Sequence, residues 1–570
     1  MTDRTDWAAL SALERSFGDP WDASNPVSFE CILDADARRA LVSRGVQILD
    51  AFGFNHELVP QQYGGRFTSA DALIRRLRPV FRRDASLGLG YGVTSLMAAV
   101  NVWTAGSDIQ KYAASRVLLE GNKVAVAYHE LAHGNDLNRN EFAGHVEDDC
   151  IRLNGGKHVI NNIEDAEAMV VFARTASSGA GRAHSVLFLA RKDIDEQRVR
   201  YTSRHRAMGV RGCRLGSAEF LDVPVTRDCV VGTVGAGTEI ALRSFQVTRA
   251  VLPGLAIGML DTALRTVLTF ATARSLYGGA LSEFPHARHV LALAFTKMLI
   301  ADCISRTAAR ALHVLPAQSS MYAAATKFLV PALLDESMRE LSVVLSARSF
   351  LRGGQYAIFE KMRRDLPVVA FGHAGGVSCL ISILAQLPSL ARRISTAKPV
   401  PEALFDTTPL GKLEFERLAV FASEADPLLA SLCRSSNQSE SSGAVEIEVK
   451  RITRDISLAA ADALERWSAI APVERGPLAS AKTFDLAVRY TTLFAASACV
   501  ETWRFHRNRG EDSFLGEPHW IVAALSVLKC QLAGTRGTLQ TDVSEAMTKE
   551  LFDRFEARRS FDMDRHELFR

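Results

Sequence analysis

The chain has 570 residues, 48% of them hydrophobic and 23% charged, a composition typical of a large globular protein with several structural units. A formal net charge of +3 over this length gives no support for a nucleic-acid-binding face. The nine cysteines lie singly, without the spacing of a disulfide framework or a zinc site, so we predict no metal.

Residues 1–124 are predicted to form an N-terminal α-helical domain. Within residues 35–54, Leu41, Val46 and Leu49 recur at near-helical spacing. The N-terminus is polar, and we expect no apolar run to approach the ~18–20 residues of a membrane span. We therefore expect a cytoplasmic protein with no membrane span.

Residues 125–238 are predicted to form a small β-domain. Residues 150–153 and 158–160 flank Asn154-Gly155-Gly156, which predicts a β-hairpin because these residues tolerate positive φ. Further strands are predicted at residues 168–174, 185–190 and 220–225.

The remainder of the chain is predicted to be helical. Residues 239–398 read as a helical bundle, in which residues 250–260 are apolar nearly all round and Pro253 should kink a helix or mark its start. Residues 399–444 are predicted to be a linker, since they end in a Ser-rich stretch. Residues 445–570 form a C-terminal helical extension.

Several segments occur together in an order typical of one protein family. They are residues 58–65, 106–111, 128–136, 156–162, 208–212, 274–284 and 350–356. Over residues 35–395 the chain resembles the acyl-CoA dehydrogenase superfamily. The resemblance implies an α+β multidomain fold with an N-terminal helical domain, a small β-barrel-like domain and a C-terminal four-helix bundle, to which this chain adds a further helical domain.

The resemblance also implies FAD as cofactor. Asn161 stands where the family has a threonine that serves flavin N5, and Arg274 stands where an arginine binds the FAD pyrophosphate. Gly353 and Gly354 stand where backbone packs against the adenine end of FAD from a neighbouring subunit, which implies a homodimer or homotetramer. The full set of implied FAD contacts is Tyr128, His129, Gly134, Asn135, Asn161, Asn162, Arg274, Tyr277, Gly353 and Gly354.

Two further residues are implied to contact substrate, His133 and Arg249. His129 and His133 replace a threonine and a small residue of the family loop that lies beside flavin and thioester. They are either donors or bases that titrate near neutral pH, or ordinary loop residues.

The catalytic base is where this chain departs from the family. The Arg364-Asp365 pair that opens the base-bearing segment is present, but the expected glutamate is replaced by Gly372 or His373, depending on the register. An alternative carboxylate position of the family is occupied by Thr248. His373 is therefore the candidate catalytic base, since a neutral imidazole suits general-base work.

Three functions remain open on these residues. The first is oxidation of an acyl thioester, on CoA or a carrier protein, with His373 as base and an electron-transfer flavoprotein, O2 or a reductase as acceptor. The second is a flavin-dependent monooxygenase that uses a partner reductase. The third is a catalytically inactive binding subunit. The C-terminal extension favours the first, because long members of the family handle acyl thioesters.

Overall fold

The computed structural model describes residues 4–176, 182–202, 204–372, 375–434, 444–510, 512 and 514–568. Its α-helices are α1 (Arg4–Phe17), α2 (Phe29–Ala37), α3 (Ser43–Phe52), α4 (Ala70–Arg83), α5 (Ala85–Gly88), α6 (Thr94–Ala105), α7 (Asp108–Leu119), α8 (Gly237–Ala273), α9 (Pro285–Val314), α10 (Ser319–Leu345), α11 (Ile358–Asp365), α12 (Pro367–Phe371), α13 (Gly376–Leu384), α14 (Leu387–Arg393), α15 (Pro427–Arg434), α16 (Ala444–Ser468), α17 (Ala481–Arg509), α18 (Pro518–Leu532) and α19 (Thr541–Glu556). Its strands are β1 (Val124–Ala127), β2 (Ala143–Val146), β3 (Cys150–Asn161), β4 (Ala168–Arg174), β5 (His184–Ala190), β6 (Val199–Thr202), β7 (Leu215–Thr226), β8 (Val230–Val231), β9 (Ser275–Leu276) and β10 (Gly279–Ala280).

Local signals explain one end each of α3 and α7. The capping box Ser107/Gln110 begins α7, and Gly53 with φ of 67° ends α3. Between α5 and α6 the backbone forms one π-helical turn, Leu89–Val93. Such turns free backbone carbonyls from the regular helical ladder.

The central sheet has eight strands in the order β6-β7-β3-β2-β4-β5-β8, and β1 pairs with β4. Strands β4, β5 and β7 confirm the predicted strands. The predicted hairpin is wrong, because β3 runs through Asn154 and Gly155 and pairs along its length with β7. Gly155, with φ of 122°, absorbs a register shift there and does not reverse the chain.

The long helices α8, α9 and α10 pack against one another. Pro253 lies inside α8, so it does not begin that helix. Contrary to the expectation from the sequence, three segments are by length and composition apolar enough to cross a membrane: Ala85–Ala105, Gly237–Ala273 and Ile358–Leu384, the last of which includes residues 373 and 374 outside the described part. The first two bury 94% of their apolar window inside the protein, because their apolar side chains face neighbouring helices.

The C-terminal helices share one hydrophobic core with the rest of the helices. Trp467 on α16, Leu493 on α17 and Trp520 on α18 belong to the same cluster of buried residues as α4, α8 and α9. Residues 399–444 were predicted to be a linker, but they include α15, which buries three leucines in this core. Its Ser-rich stretch, residues 435–443, lies outside the described residues.

A buried ion network ties the N-terminal helices to the end of the chain. Arg78 on α4 donates to Asp302 on α9 at 2.6 Å and to Asp562 at 2.9 Å. Arg82, one turn later, contacts Asp261 on α8 at 3.3 Å and Asp562 at 3.5 Å. All five side chains are buried, so each charge depends on its partners for compensation.

Candidate active site

The loop that follows β1 is fastened to the sheet by a buried ion pair. Glu130 accepts from Lys157 Nζ at 2.8 Å and from the backbone N–H groups of Glu141 and Phe142. Burial raises the pKa of Glu130, but these donors lower it by more, so the net shift is downward. Burial also lowers the pKa of Lys157, to about 8. Both carboxylate oxygens of Glu130 therefore accept hydrogen bonds from the protein, and these bonds hold the loop in place.

The neighbouring residues of this loop differ in accessibility. Tyr128 is buried and its hydroxyl donates to Asn101 on α6, so its side chain packs into the helical core and is not presented to a ligand. Gly134 has φ of 55°, which favours glycine at this turn. It is half-buried, and Asn135 after it is exposed. Of the four implied FAD contacts in this loop, Tyr128 is thus buried, His129 and Gly134 are half-buried, and Asn135 is exposed.

His129 and His158 pair across the gap between β1 and β3. His158 N donates to His129 O at 3.0 Å, and His129 Nδ1 lies 3.0 Å from His158 O. His158 Nδ1 is buried and has no hydrogen-bond partner within the described part of the chain. Burial lowers the pKa of His158, and the nearby His129 and His205 lower it further.

His133, an implied substrate contact, lies near the end of the same loop. Its Nε2 is 3.5 Å from Glu141 Oε1 and is buried, without a hydrogen bond to any described residue. Two buried imidazole nitrogens, on His133 and His158, thus have unused hydrogen-bonding capacity beside this loop.

Asn161 and Asn162 bind the π-helical turn. Asn161 Nδ2 donates to Leu89 O at 3.0 Å and to Thr94 Oγ1 at 2.9 Å, and Asn162 Nδ2 donates to Gly90 O at 2.9 Å. Both N–H bonds of the Asn161 amide are therefore occupied. Asn161 was expected to donate from its side chain to flavin N5. In this arrangement no N–H of its amide is free for that bond, because Leu89 O and Thr94 Oγ1 accept both.

The Arg364-Asp365 pair anchors the base-bearing segment through buried charges. Lys361 Nζ lies 2.6 Å from Asp84 and 2.5 Å from Asp365, and Arg364 lies 2.7 Å from Asp36. Burial opposes the charge of Lys361, yet these carboxylates raise its pKa above the usual value. The motif read from the sequence therefore fixes the end of α11.

The same pair meets the β-domain. Val210 N donates to Asp365 Oδ1 at 2.6 Å, and a Cβ on Gly209 would lie 2.2 Å from Arg364 O. Only glycine permits this approach of the two backbones.

The family's two carboxylate positions contain no acid. Thr248 on α8 donates to Phe245 O, three residues earlier. Gly372 ends α12 and accepts from Lys327 Nζ of α10 at 2.8 Å. His373, the candidate base, lies outside the described residues.

The base-bearing segment and the loop after β1 come together. A Cβ on Gly375, the residue before α13, would lie 2.9 Å from Asn135 Nδ2. On the other side, Arg249 of α8 donates to Ser378 Oγ of α13 at 3.4 Å. The structure thus brings together Asn135, Arg249 and the segment of the missing glutamate, which are far apart in sequence.

The remaining implied FAD contacts lie at the far end of α8. Arg274 and Tyr277 are exposed, and Arg274 lines a cavity of ≈ 540 Å³ between the end of α8 and the end of α10. A Cβ on Gly353 or Gly354 would meet no described atom within 4 Å, so their backbone is open to another molecule.

The implied FAD contacts form two groups that lie far apart within one chain. Phe245 near the start of α8 packs against Tyr128, whereas Arg274 follows the last residue of α8. At 1.5 Å per residue, about 40 Å of helix axis separates these two places within one chain. The open glycines and the exposed arginine lie at one of these places, and the imidazole nitrogens without a hydrogen bond to a described residue lie near the other.

The sequence reasoning missed three residues, Lys327 and the backbone acceptors at Leu89 and Gly90. Lys327 carries the only charge in the apolar run from Met321 to Leu334, and that isolation was the available signal. The acceptors at Leu89 and Gly90 gave no signal, because a π-helical turn has no distinctive residue pattern.

Comparison with known proteins gives a consistent assignment. Residues 235–385 match the family model of the acyl-CoA dehydrogenase C-terminal domain. The probable acyl-CoA dehydrogenase fadE25 of Mycobacterium leprae is 25% identical over 259 residues, which make up 45% of this chain and 66% of that protein. The 3-sulfinopropanoyl-CoA desulfinase of Paraburkholderia xenovorans is 24% identical over 340 residues, 59% of this chain and 85% of the relative.

A solved structure extends the likeness over nearly the whole chain. The acyl-CoA dehydrogenase of Bacillus anthracis, complexed with FAD, superposes with a TM-score of 0.71 at 16% identity and covers 96% of this chain and 88% of its own. At this identity the likeness shows the fold, an α+β architecture rich in helices around a central sheet. The alignment with the Mycobacterium leprae relative spans 66% of that protein, slightly under two thirds. Residues 235–385 thus resemble the C-terminal domain of the acyl-CoA dehydrogenases, and nearly the whole chain has the fold of an FAD-binding member of that group.

Proposed function

We propose that this protein oxidises an acyl thioester, carried by CoA or by a carrier protein, to the α,β-unsaturated thioester. The observation that carries the proposal is the meeting of the loop after β1 with the segment of the missing glutamate, at Asn135 and Gly375. In the resemblance, one of these segments lies beside the flavin and the other faces the substrate α-carbon. The CoA thioesters in the names of two relatives support this substrate class.

The residues around this meeting point have distinct proposed tasks. His373 takes the α-proton, a task that suits a neutral imidazole. Lys327 holds the carbonyl of Gly372 and thereby orients the backbone before His373. FAD, when bound, supplies the hydride acceptor for the β-carbon.

We also propose that the active unit is at least a dimer. Arg274, Tyr277, Gly353 and Gly354 of one subunit would hold the adenine and pyrophosphate end of the FAD whose flavin lies beside Asn135 of the other. The length of α8 supports this, since a single chain holds the two groups about 40 Å apart.

The test is the visible spectrum of the purified protein under anaerobic conditions, titrated with a panel of acyl-CoA and acyl-carrier-protein thioesters. Bleaching of the flavin band by any member supports acyl oxidation, and the reactive chain gives its length. A flavin band that no thioester bleaches, in a protein that consumes NADH only with an added flavin reductase, would replace the proposal by a monooxygenase. A protein purified without flavin that cannot be reconstituted would point to a binding subunit.

A further inference from the structure

A further cavity lies between the N-terminal helices and the end of the chain. Its volume is ≈ 420 Å³, and its wall includes Trp21 before α2, Arg83 on α4, Arg265 on α8 and Phe555 on α19. Among the described residues, it shares no part of its wall with the cavity beside Arg274. Small-molecule sites in proteins commonly have volumes of this size.

The cavity is also far from the candidate active site. Phe245, which packs against Tyr128, lies on the same helix as Arg265. At 1.5 Å per residue, the 20 positions from Phe245 to Arg265 span about 30 Å of the axis of α8. A molecule in this cavity therefore does not meet the residues to which the proposed oxidation is assigned.

Part of the wall is aromatic. Trp21 packs edge-on against Phe29 with ring centroids 4.9 Å apart, and both rings line the cavity. Phe555 adds a third ring from the C-terminal segment. Aromatic walls of this kind favour a ligand with a planar apolar body, because such a body buries a large apolar area against the rings.

Arg83 brings a buried positive charge to the wall. It is 4% exposed, and its guanidinium donates to the backbone oxygens of Val27 and Gly18. These bonds use two of the five N–H groups of an arginine. The ion pairs among the described residues include no carboxylate for Arg83. Burial lowers its pKa to about 10, although Glu14 and Asp19 oppose the shift.

Arg265 is a second arginine with unused hydrogen-bonding capacity. Its Nη2 donates to Arg559 O at 2.7 Å and lies 3.4 Å from Asp261 Oδ1, whereas its Nη1 has no hydrogen bond to a described residue. Asp261 is shared, because Arg82 also contacts it at 3.3 Å. The guanidinium lies 4.2 Å from the ring centroid of Phe561, and this contact helps to fix its position.

The acids on the wall are largely occupied by the protein itself. Glu14 is bound by Arg82. Asp19 accepts a hydrogen bond from Trp21 N at 2.9 Å, and Glu556 is exposed to solvent. The hydrogen-bonding capacity that remains inside the cavity is therefore mainly that of arginine donors, which favour an anion.

We propose that this cavity binds a small organic anion with a planar apolar body, such as an aromatic carboxylate, at a site separate from the candidate active site. The aromatic rings contact the body of the ligand, and Arg83 and Arg265 bind its charged group. Because the wall joins α1, α4 and α8 to the C-terminal segment, a bound ligand stabilises this junction.

The test uses naphthalene-2-carboxylate and its uncharged amide as probes of the FAD-loaded protein. Isothermal titration gives the dissociation constant and the stoichiometry of each probe. We expect one carboxylate per chain and at least tenfold weaker binding of the amide, which corresponds to about 1.4 kcal/mol, because hydrogen bonds between charged groups are the stronger ones. The flavin spectrum should stay unchanged, since the cavity is distant from the candidate active site.

Three variants localise the binding. Arg265→Gln removes one charge and should reduce the preference for the carboxylate to less than threefold. Thr269→Trp fills the cavity from α8 and should abolish binding of both probes. Arg116→Gln, at an exposed arginine of α7 outside the cavity wall, is the matched control and should bind both probes like the wild type. Circular dichroism and FAD occupancy check the fold of each variant.

Hydrogen exchange of the wild-type protein gives an answer even if a variant does not fold. Saturation with the carboxylate should slow exchange in the end of α1, in α19 and in residues 559–568, which surround the cavity. Slowed exchange confined to the loop after β1 would place the probe in the candidate active site and overturn the proposal.

The titrations can also overturn it. Absence of carboxylate binding, equal affinities for the two probes, or unchanged binding by a folded Thr269→Trp protein would each contradict the anion site. These outcomes leave acyl oxidation standing, because that activity is tested by reduction of the flavin with thioesters.

Discussion

Lys327→Met should make the protein more stable, although the same substitution at most buried lysines destabilises. Burial lowers the pKa of Lys327 from 10.5 to about 8, and each unit corresponds to 1.36 kcal/mol, so the charged form costs about 3 kcal/mol in the folded state. Methionine removes that charge with little change in volume. Loss of the hydrogen bond to Gly372 O costs about 1 kcal/mol, so the free energy of unfolding should rise by about 2 kcal/mol.

Lys361→Met is the matched control and should have the opposite sign. Lys361 is also completely buried, but it contacts Asp84 and Asp365, and its removal leaves both carboxylates without the ammonium. Breaking a buried pair in this way costs about 3–5 kcal/mol.

The measurement is the thermal unfolding midpoint of the FAD-loaded proteins by calorimetry. At about 2.1 cal/mol/K per residue, 570 residues give about 1.2 kcal/mol per degree if they unfold together, so the expected shifts are about +2 °C and −3 °C. Hydrogen exchange should show the same signs locally, in the α10 amides for Lys327→Met and in the α11 amides for Lys361→Met.

The pH dependence of stability follows from the lowered pKa of Lys327. Below pH 8 Lys327 is charged in both the folded and the unfolded protein, so its full cost is present. Between pH 8 and 10.5 only the unfolded state binds the proton, so wild-type stability rises and the advantage of Lys327→Met shrinks. A Lys327→Met midpoint lowered as much as that of Lys361→Met would refute the claim that Lys327 is an uncompensated charge.

Three further outcomes are expected. Arg274→Ala should lower FAD occupancy without loss of helical content, and unchanged occupancy would remove Arg274 from the cofactor site. Gly209→Ala should destabilise strongly, since its Cβ would lie 2.2 Å from the backbone oxygen of Arg364, whereas Gly411→Ala, with open space around it, should be nearly neutral; equal midpoints would contradict the close approach. His373→Ala should reduce thioester-dependent flavin reduction by about 10²–10⁴-fold, and wild-type rates would exclude it as the base.

The sequence predicted the superfamily well because its motifs occupy places where only certain residues fit. Gly209 is needed where two backbones meet, and Asp365 is needed to accept from Val210 N and Lys361. Such requirements fix the residue type at particular positions, and the resulting motifs can be recognised in the sequence by their spacing. The strands β4, β5 and β7 were equally readable, since short apolar runs between turn residues have few alternatives.

The errors arose where a distant partner overrides a local signal. Asn154-Gly155-Gly156 favours a tight turn by itself, but pairing of β3 with β7 extends the strand through it. Asn161 matched a family position, yet its amide is taken by Leu89 O, 72 residues earlier in the chain. Neither partner is visible from the residues around the motif.

The contacts of Arg78 and Arg82 with Asp562 also constrain the order of events during synthesis. Both arginines leave the ribosome early, on α4, but a carboxylate that they share is encoded 480 or more residues later. Until residue 562 has been made, α4 and α8 would enclose guanidinium groups that lack part of their compensation. We therefore expect the N-terminal helices to remain loosely packed on the nascent chain and to reach their final packing only after translation is nearly complete.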